Sequence, residues 1–165
     1  MDQLINPGPG GGPPAQKDIR PEIVKVGMWG VLNSRRFTYT EGGLRMRNVK
    51  HRPLIGHIFC DCSAWVTYCY SWAGGKDPNG LRFDGQGYTG TLLSNGEKIT
   101  AKQAQAGDVV VFGSSPGVHC ALLLTKGPNP WTSSMGEQGQ PAKVRVSDML
   151  FLGKATYLRF STVAR

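Results

Sequence analysis

Apolar residues first settle into a clear rhythm at Cys62, Trp65, Val66, Cys69, Trp72 and Ala73. Three- and four-residue intervals of this kind line one face of an α-helix. Asp61 stands where an N-cap belongs, and Gly74-Gly75 with Pro78 ends the pattern, so Cys62 falls in the first helical turn. Upstream, Ile23 to Leu32 is apolar enough for a helix or a strand, and Phe37 to Thr40 runs into a Gly42-Gly43 turn. Downstream, Lys76 to Gly96 is glycine-rich and without period. The pattern then becomes that of strands. Val109 to Phe112 is an unbroken apolar run closed by Gly113, and Val118 to Leu124 is apolar on both faces apart from His119, as a central strand requires. After a Gly127-Pro128-Asn129-Pro130 turn, Trp131 to Met135 returns beside that strand, and Lys143 to Val146 and Ala155 to Phe160 are further short strands. A helix near the front with antiparallel strands behind it predicts an α+β domain.

Composition narrows this picture. Residues Pro7 to Pro14 are all glycine or proline, which sustain neither helix nor sheet, so residues 1–18 read as a tail or linker and 19–165 as the domain. A chain of 165 residues has room for one ordinary core. It has no apolar run of about 20 residues and no basic-then-apolar leader, which points to a soluble mature chain without membrane insertion. Four cysteines are too sparse for a disulfide scaffold, and Cys60 and Cys62 are too close to pair, so all four are read as thiols. The net charge of +8 favours polyanions without choosing among them. Arg35, Arg36, Arg45, Arg47, Lys50 and Arg52 form a basic patch only if the fold gathers them, and no nucleic-acid motif accompanies them.

The candidate chemistry lies in a thiol and an imidazole. Unpaired backbone N–H groups at a helix start favour the thiolate, which makes Cys62 a candidate nucleophile. His119, a polar ring inside an apolar strand, is the candidate base, ahead of His51 and His57 in loop sequence. Two other readings stand beside this one. The first is core packing of a buried cysteine and a satisfied histidine. The second is a metal site of Cys60, Cys62, His119 and Cys120, which the opposite facing of strand neighbours opposes.

The run Asp61-Cys62-Ser63-Ala64-Trp65-Val66 resembles the Asp-Cys-Ser-Gly-Phe-Val signature of the NlpC-type peptidoglycan peptidases. Gln105 to Phe112 followed by Gly117-Val118-His119 is similar to their Pro-Gly-Asp-Leu-Val-Phe-Phe segment and His-Val-Gly strand. Asp77-Pro78-Asn79-Gly80 and Gly87-Tyr88-Thr89-Gly90 look like segments of phage lysins and tail-associated wall hydrolases within that family. The resemblance covers about Phe37 to Pro141. It implies a small papain-like α+β domain whose nucleophile helix packs on an antiparallel sheet. It also implies hydrolysis of a wall-peptide amide through an acyl-enzyme, with no cofactor and with peptidoglycan, not nucleic acid, as partner. The protein would be phage-encoded, made in the host cytoplasm or carried on a virion tail, and either a monomer or part of a larger lysin or tail protein.

Carried over by position, Cys62 matches the nucleophile, His119 the base, Asp61 and Ser63 residues that hold the substrate peptide, and Tyr39 a tyrosine near the oxyanion. The Cys62 backbone N–H is a natural oxyanion donor. The family's third polar residue, which orients the imidazole, falls at Met135, and methionine does not orient an imidazole by a useful hydrogen bond. Glu137, expected on the same strand face, is the preferred substitute, because a carboxylate also stabilises an imidazolium. Ser133, Ser134 and Gln138 are the other choices. An acyltransferase on the same thiol, or a catalytically impaired wall-binding or tail module, would share these features.

Overall fold

The computed structural model describes residues 17–136 and 138–165. The tail expected over 1–18 and Glu137 therefore lie largely or wholly outside the described residues. Asp18 already pairs with Val163, and the Ile19 N–H donates to the Thr162 carbonyl at 2.7 Å.

A six-stranded antiparallel sheet in the order β3-β8-β4-β5-β6-β7 forms the body of the domain. Its strands are β3 (Glu97–Ile99), β4 (Val109–Phe112), β5 (His119–Leu123), β6 (Trp131–Met135), β7 (Pro141–Arg145) and β8 (Ala155–Arg159). The apolar run at 109–112 and the doubly apolar run after His119 are the two central strands, as their pattern predicts. Val109, Val111, Cys120 and Leu122 pack into one core cluster with α1 (Arg20–Leu32) and α2 (Cys62–Trp72). Val110, Phe112, Ala121 and Leu123 pack into a second cluster with Val146 and Met149 of the 3-10 turn Val146–Leu152. Burial on both faces explains why these strands lack alternation.

The helical content exceeds the sequence reading. Ile23 to Leu32 is a helix, α1, begun by Arg20-Pro21. The stretch read as loop contains α3 (Thr89–Asn95), which is short and uneven in polarity and so leaves no readable period. Its start is held by the Tyr88 N–H donating to Thr91 Oγ1 at 2.8 Å. Helix α2 is also not amphipathic. Every residue from Cys62 to Ser71 is buried, because α1, the sheet and the 42–50 loop enclose it.

Small residues let α1 approach. A Cβ on Gly30 would lie 2.2 Å from the Trp65 ring, and one on Gly27 would lie 2.6 Å from Leu122 Cδ2. At this junction Ser133 Oγ accepts from Trp65 Nε1 at 2.9 Å and donates to the Gly27 carbonyl at 3.0 Å, tying β6 to both helices. A second tie is Asp108, fully buried at the head of β4, whose carboxylate takes Arg20 at 3.0 Å and Arg159 at 2.7 Å. A buried carboxylate needs such partners. Before α2, the strands β1 (Phe37–Tyr39) and β2 (Ile58–Cys60) pair in parallel with Tyr39 opposite Cys60. This pairing carries Tyr39 to the start of the nucleophile helix.

Candidate active site

Asp61 caps α2 as expected, accepting the Ala64 N–H at 2.7 Å on Oδ1. Cys62 is thereby the first helical residue, only 8% exposed. Its thiol is held down to about 5 from an ordinary 9.0. The largest cause is a hydrogen bond with Cys120, followed on the lowering side by a hydrogen bond with His119 and that ring's charge. Burial and the Asp61 charge act in the opposite direction. Cys120 is fully buried, and burial pushes its own thiol well above the ordinary value. It therefore stays protonated and donates its S–H to the Cys62 thiolate. Cys120, named from the sequence only within the disfavoured metal set, is in the structure a contact of the nucleophile. Cys60 and Cys69 are buried thiols with raised values, and all four cysteines are free.

His119 opens β5, half-buried, its ring stacked on Phe112 at 6.2 Å between centroids. Its Nε2 lies 2.8 Å from Ser134 Oγ. Ser134 in turn donates to Met149 Sδ at 3.5 Å. With that proton committed, Ser134 accepts the Nε2–H, which leaves Nδ1 for proton exchange with the thiol.

Among the described residues the imidazole is thus held by Ser134, one of the other choices, while Glu137, the preferred one, lies outside them. In the β5–β6 register Leu122 stands opposite Ser133 and Leu123 opposite Thr132. Continued by one residue, Ala121 faces Ser134, so Ser134 shares the His119 side of the sheet. Met135 and Ser133 point to the other side, where Met135 packs in the helix-side core and Ser133 is occupied by Trp65 and Gly27. Ser133, expected beside the imidazole, is thus one residue out of phase with it. The seven residues connecting β5 and β6 hide the register from the sequence, and a one-residue slip reverses every side chain. Gln138 is exposed and lines a groove of about 770 Å³ together with Tyr39, His119, Ser134, Met149 and Phe151.

Tyr39 lies beside this centre, its hydroxyl donating to Glu41 Oε1 at 3.0 Å. Burial, the Glu41 hydrogen bond and the nearby Cys62 and Asp61 charges push its ionisation up, so it remains a neutral phenol. Asp61 and Ser63 adjoin each other, Ser63 Oγ donating to Asp61 Oδ1 at 2.9 Å. Arg45, unremarked among the basic residues of the sequence, is bound to both. The basic segment does not act as one free patch, since Arg36 and Arg52 lie over the Trp29 ring and Arg45 is in a salt bridge. His51 and His57 are exposed. Among the described residues no group of three or more His, Cys, Asp or Glu side chains is placed to hold a metal ion.

This small α+β architecture, helices on an antiparallel sheet, matches that of NlpC/p60 domain structures. The NlpC/p60 domain of the peptidoglycan hydrolase SagA superposes with a TM-score of 0.57 at 23% identity, over 86% of this chain and 98% of that one. RipD from Mycobacterium tuberculosis, described as a non-catalytic NlpC/p60 protein adapted to peptidoglycan binding, superposes at 0.58 and 21% identity, over 88% and 99%. In sequence, the chain is 29% identical over 94 residues to the peptidoglycan endopeptidase RipA of M. tuberculosis H37Rv, covering 57% of this chain and 18% of RipA. The chain thus spans under a fifth of that curated relative's length. No family model matches the chain.

Proposed function

We propose that the chain is a peptidoglycan hydrolase domain of the NlpC/p60 type that cleaves a wall-peptide amide through a Cys62 acyl-enzyme. The observation carrying this reading is the buried Cys62 held down to about 5 beside a His119 whose ring is fixed by Ser134. The likeness to RipA and SagA supports the substrate class. In this mechanism the Cys62 thiolate attacks the amide carbonyl carbon, and the developing oxyanion meets N–H groups at the start of α2. His119 gives its Nδ1 proton to the departing amine, leaving a thioester. A water then loses a proton to His119 and attacks the thioester, releasing the carboxylic acid and restoring the thiolate–imidazolium pair. The charge of +8 draws the domain to an anionic wall. The phage lysin or tail setting is part of this proposal and rests on the resemblance of the Asp77–Gly80 and Gly87–Gly90 segments alone.

RipD supplies the competing reading, wall binding without chemistry on the same fold. Digestion of purified sacculi by wild type and by Cys62→Ala, with mass spectrometry of the new termini, separates the two. New termini carrying one added water, absent with the folded variant, are the expected result. Wall binding with no new termini in wild type refutes hydrolysis, and acyl groups transferred to an amine would identify a transferase.

A further inference from the structure

A surface with no part in the chemistry lies where α1 ends. Leu54 and Ile55 are 89% and 86% exposed there, and Leu32 is 78% exposed. Leu54 and Ile55 form the tip of a turn that is held from behind: Arg36 Nη2 donates to the Pro53 carbonyl at 2.9 Å and Nε to the Gly56 carbonyl at 3.1 Å. Gly56 takes the φ of +84° that lets the turn close, and a Cβ there would meet nothing within 4 Å among the described residues. The Arg36 and Arg52 guanidinia lie 5.4 and 4.8 Å from the Trp29 ring centroid. They draw the turn against α1, where Leu32 follows Trp29 by three positions on the adjoining face. The three apolar side chains therefore project around one cationic stack.

The charges around them are of one sign. Arg45 is committed to Asp61, but Arg36 and Arg52 keep their charge while stacked, and Arg35 and Lys50 are exposed. Among the described residues none of Arg35, Arg36, Lys50 and Arg52 is in a salt bridge. From Asn33 to Cys60 the single acid is Glu41, whose carboxylate accepts from the Tyr39 hydroxyl. A second copy of the chain would bring the same cations to this surface and be repelled. A sugar-phosphate polymer would satisfy the cations and leave the apolar tips in water. An anionic bilayer answers both, with phosphates for the guanidinia and acyl chains just beneath for leucine and isoleucine, and it needs no preformed pocket. Contact of this kind is peripheral, since no described helix is long and apolar enough to cross a membrane.

We propose that the Leu54-Ile55 turn, with Leu32 and the arginines around Trp29, docks the domain on the surface of an anionic phospholipid bilayer. The surface is independent of the Cys62 chemistry, so the peptidoglycan reading and this one stand or fall separately. The test is cosedimentation of the full chain with vesicles of mixed phosphatidylcholine and phosphatidylglycerol, and with vesicles of phosphatidylcholine alone. Wild type is expected to sediment with the anionic vesicles and not with the neutral ones. Leu54→Ser combined with Ile55→Ser should weaken partition by about tenfold. Arg35→Gln combined with Arg52→Gln should weaken it by about twentyfold, roughly fivefold for each cation near the surface. Circular dichroism checks the fold of both variants, and if the arginine pair unfolds on leaving Trp29, the fully solvated serine pair decides. Failure of the wild type to sediment with anionic vesicles overturns the proposal, as does equal sedimentation with neutral ones. So does wild-type binding by the serine variant, which would make the surface a plain polyanion site suited to a wall polymer.

Discussion

A Cys62 thiol that ionises at about 5 instead of 9.0 has its thiolate favoured by about 5 kcal/mol. At pH 7 this makes it about 99% ionised, against about 1% for an ordinary thiol of the same 9.0. A low-pKa thiolate is intrinsically a weaker nucleophile, so the alkylation rate at one pH is a poor reporter and the midpoint of its pH profile is the informative quantity. Only Cys62 among the four cysteines has any exposure, which simplifies labelling. Alkylation by iodoacetamide across pH 3 to 10, with the site confirmed by peptide mapping, is expected to show a midpoint near 5. Cys120→Val removes the thiol that most favours the Cys62 thiolate while filling its space in the core. Hydrogen bonds to ions contribute about 1.5–3 kcal/mol, and a weak S–H donor belongs at the low end, so the midpoint should rise by about one pH unit. The folded value lies below the unfolded one, so the stability contributed by the thiolate is complete above about pH 9. It shrinks as pH falls and is gone below about 5. A wild-type midpoint near 9, or one that Cys120→Val leaves in place, would refute this account of the nucleophile.

Ser134→Ala removes the acceptor of the His119 Nε2–H and should lower kcat by about two- to tenfold with little change in KM, restored in part by Ser134→Thr; an unchanged kcat would remove Ser134 from the site. Asp108→Asn leaves Arg20 and Arg159 without their carboxylate, and denaturant unfolding should register a loss of about 3–5 kcal/mol while activity per folded molecule is kept. Gly30→Ala drives a methyl into the Trp65 ring, and thermal unfolding should show a loss of about 1–3 kcal/mol, with a smaller effect if α1 slides away.

How much of this was legible beforehand depends on the range of the interactions involved. The nucleophile helix could be placed because its signals are local: Asp61 caps within three residues, and Gly74 ends the helix at a φ of +82°. The two central strands were readable because burial on both faces leaves long apolar runs. α3 escaped notice because a two-turn helix has too few residues for a period.

The chain by itself determined the chemistry on offer: a thiol at a helix start, an imidazole on a central strand, and an α+β order of elements. The tertiary structure alone decided which groups meet. Ser134 rather than Ser133 reaches the imidazole because the β5–β6 register, set across a seven-residue connection, turns that residue toward His119. Cys120 became the donor to Cys62 through the packing of α2 on β5, 58 positions apart in sequence. Arg45 took up Asp61 because Tyr68 pins its loop from within the same helix. Caps and periodicities act over a few residues and leave their mark in the sequence, whereas register and loop docking depend on distant partners that become neighbours only when the core closes.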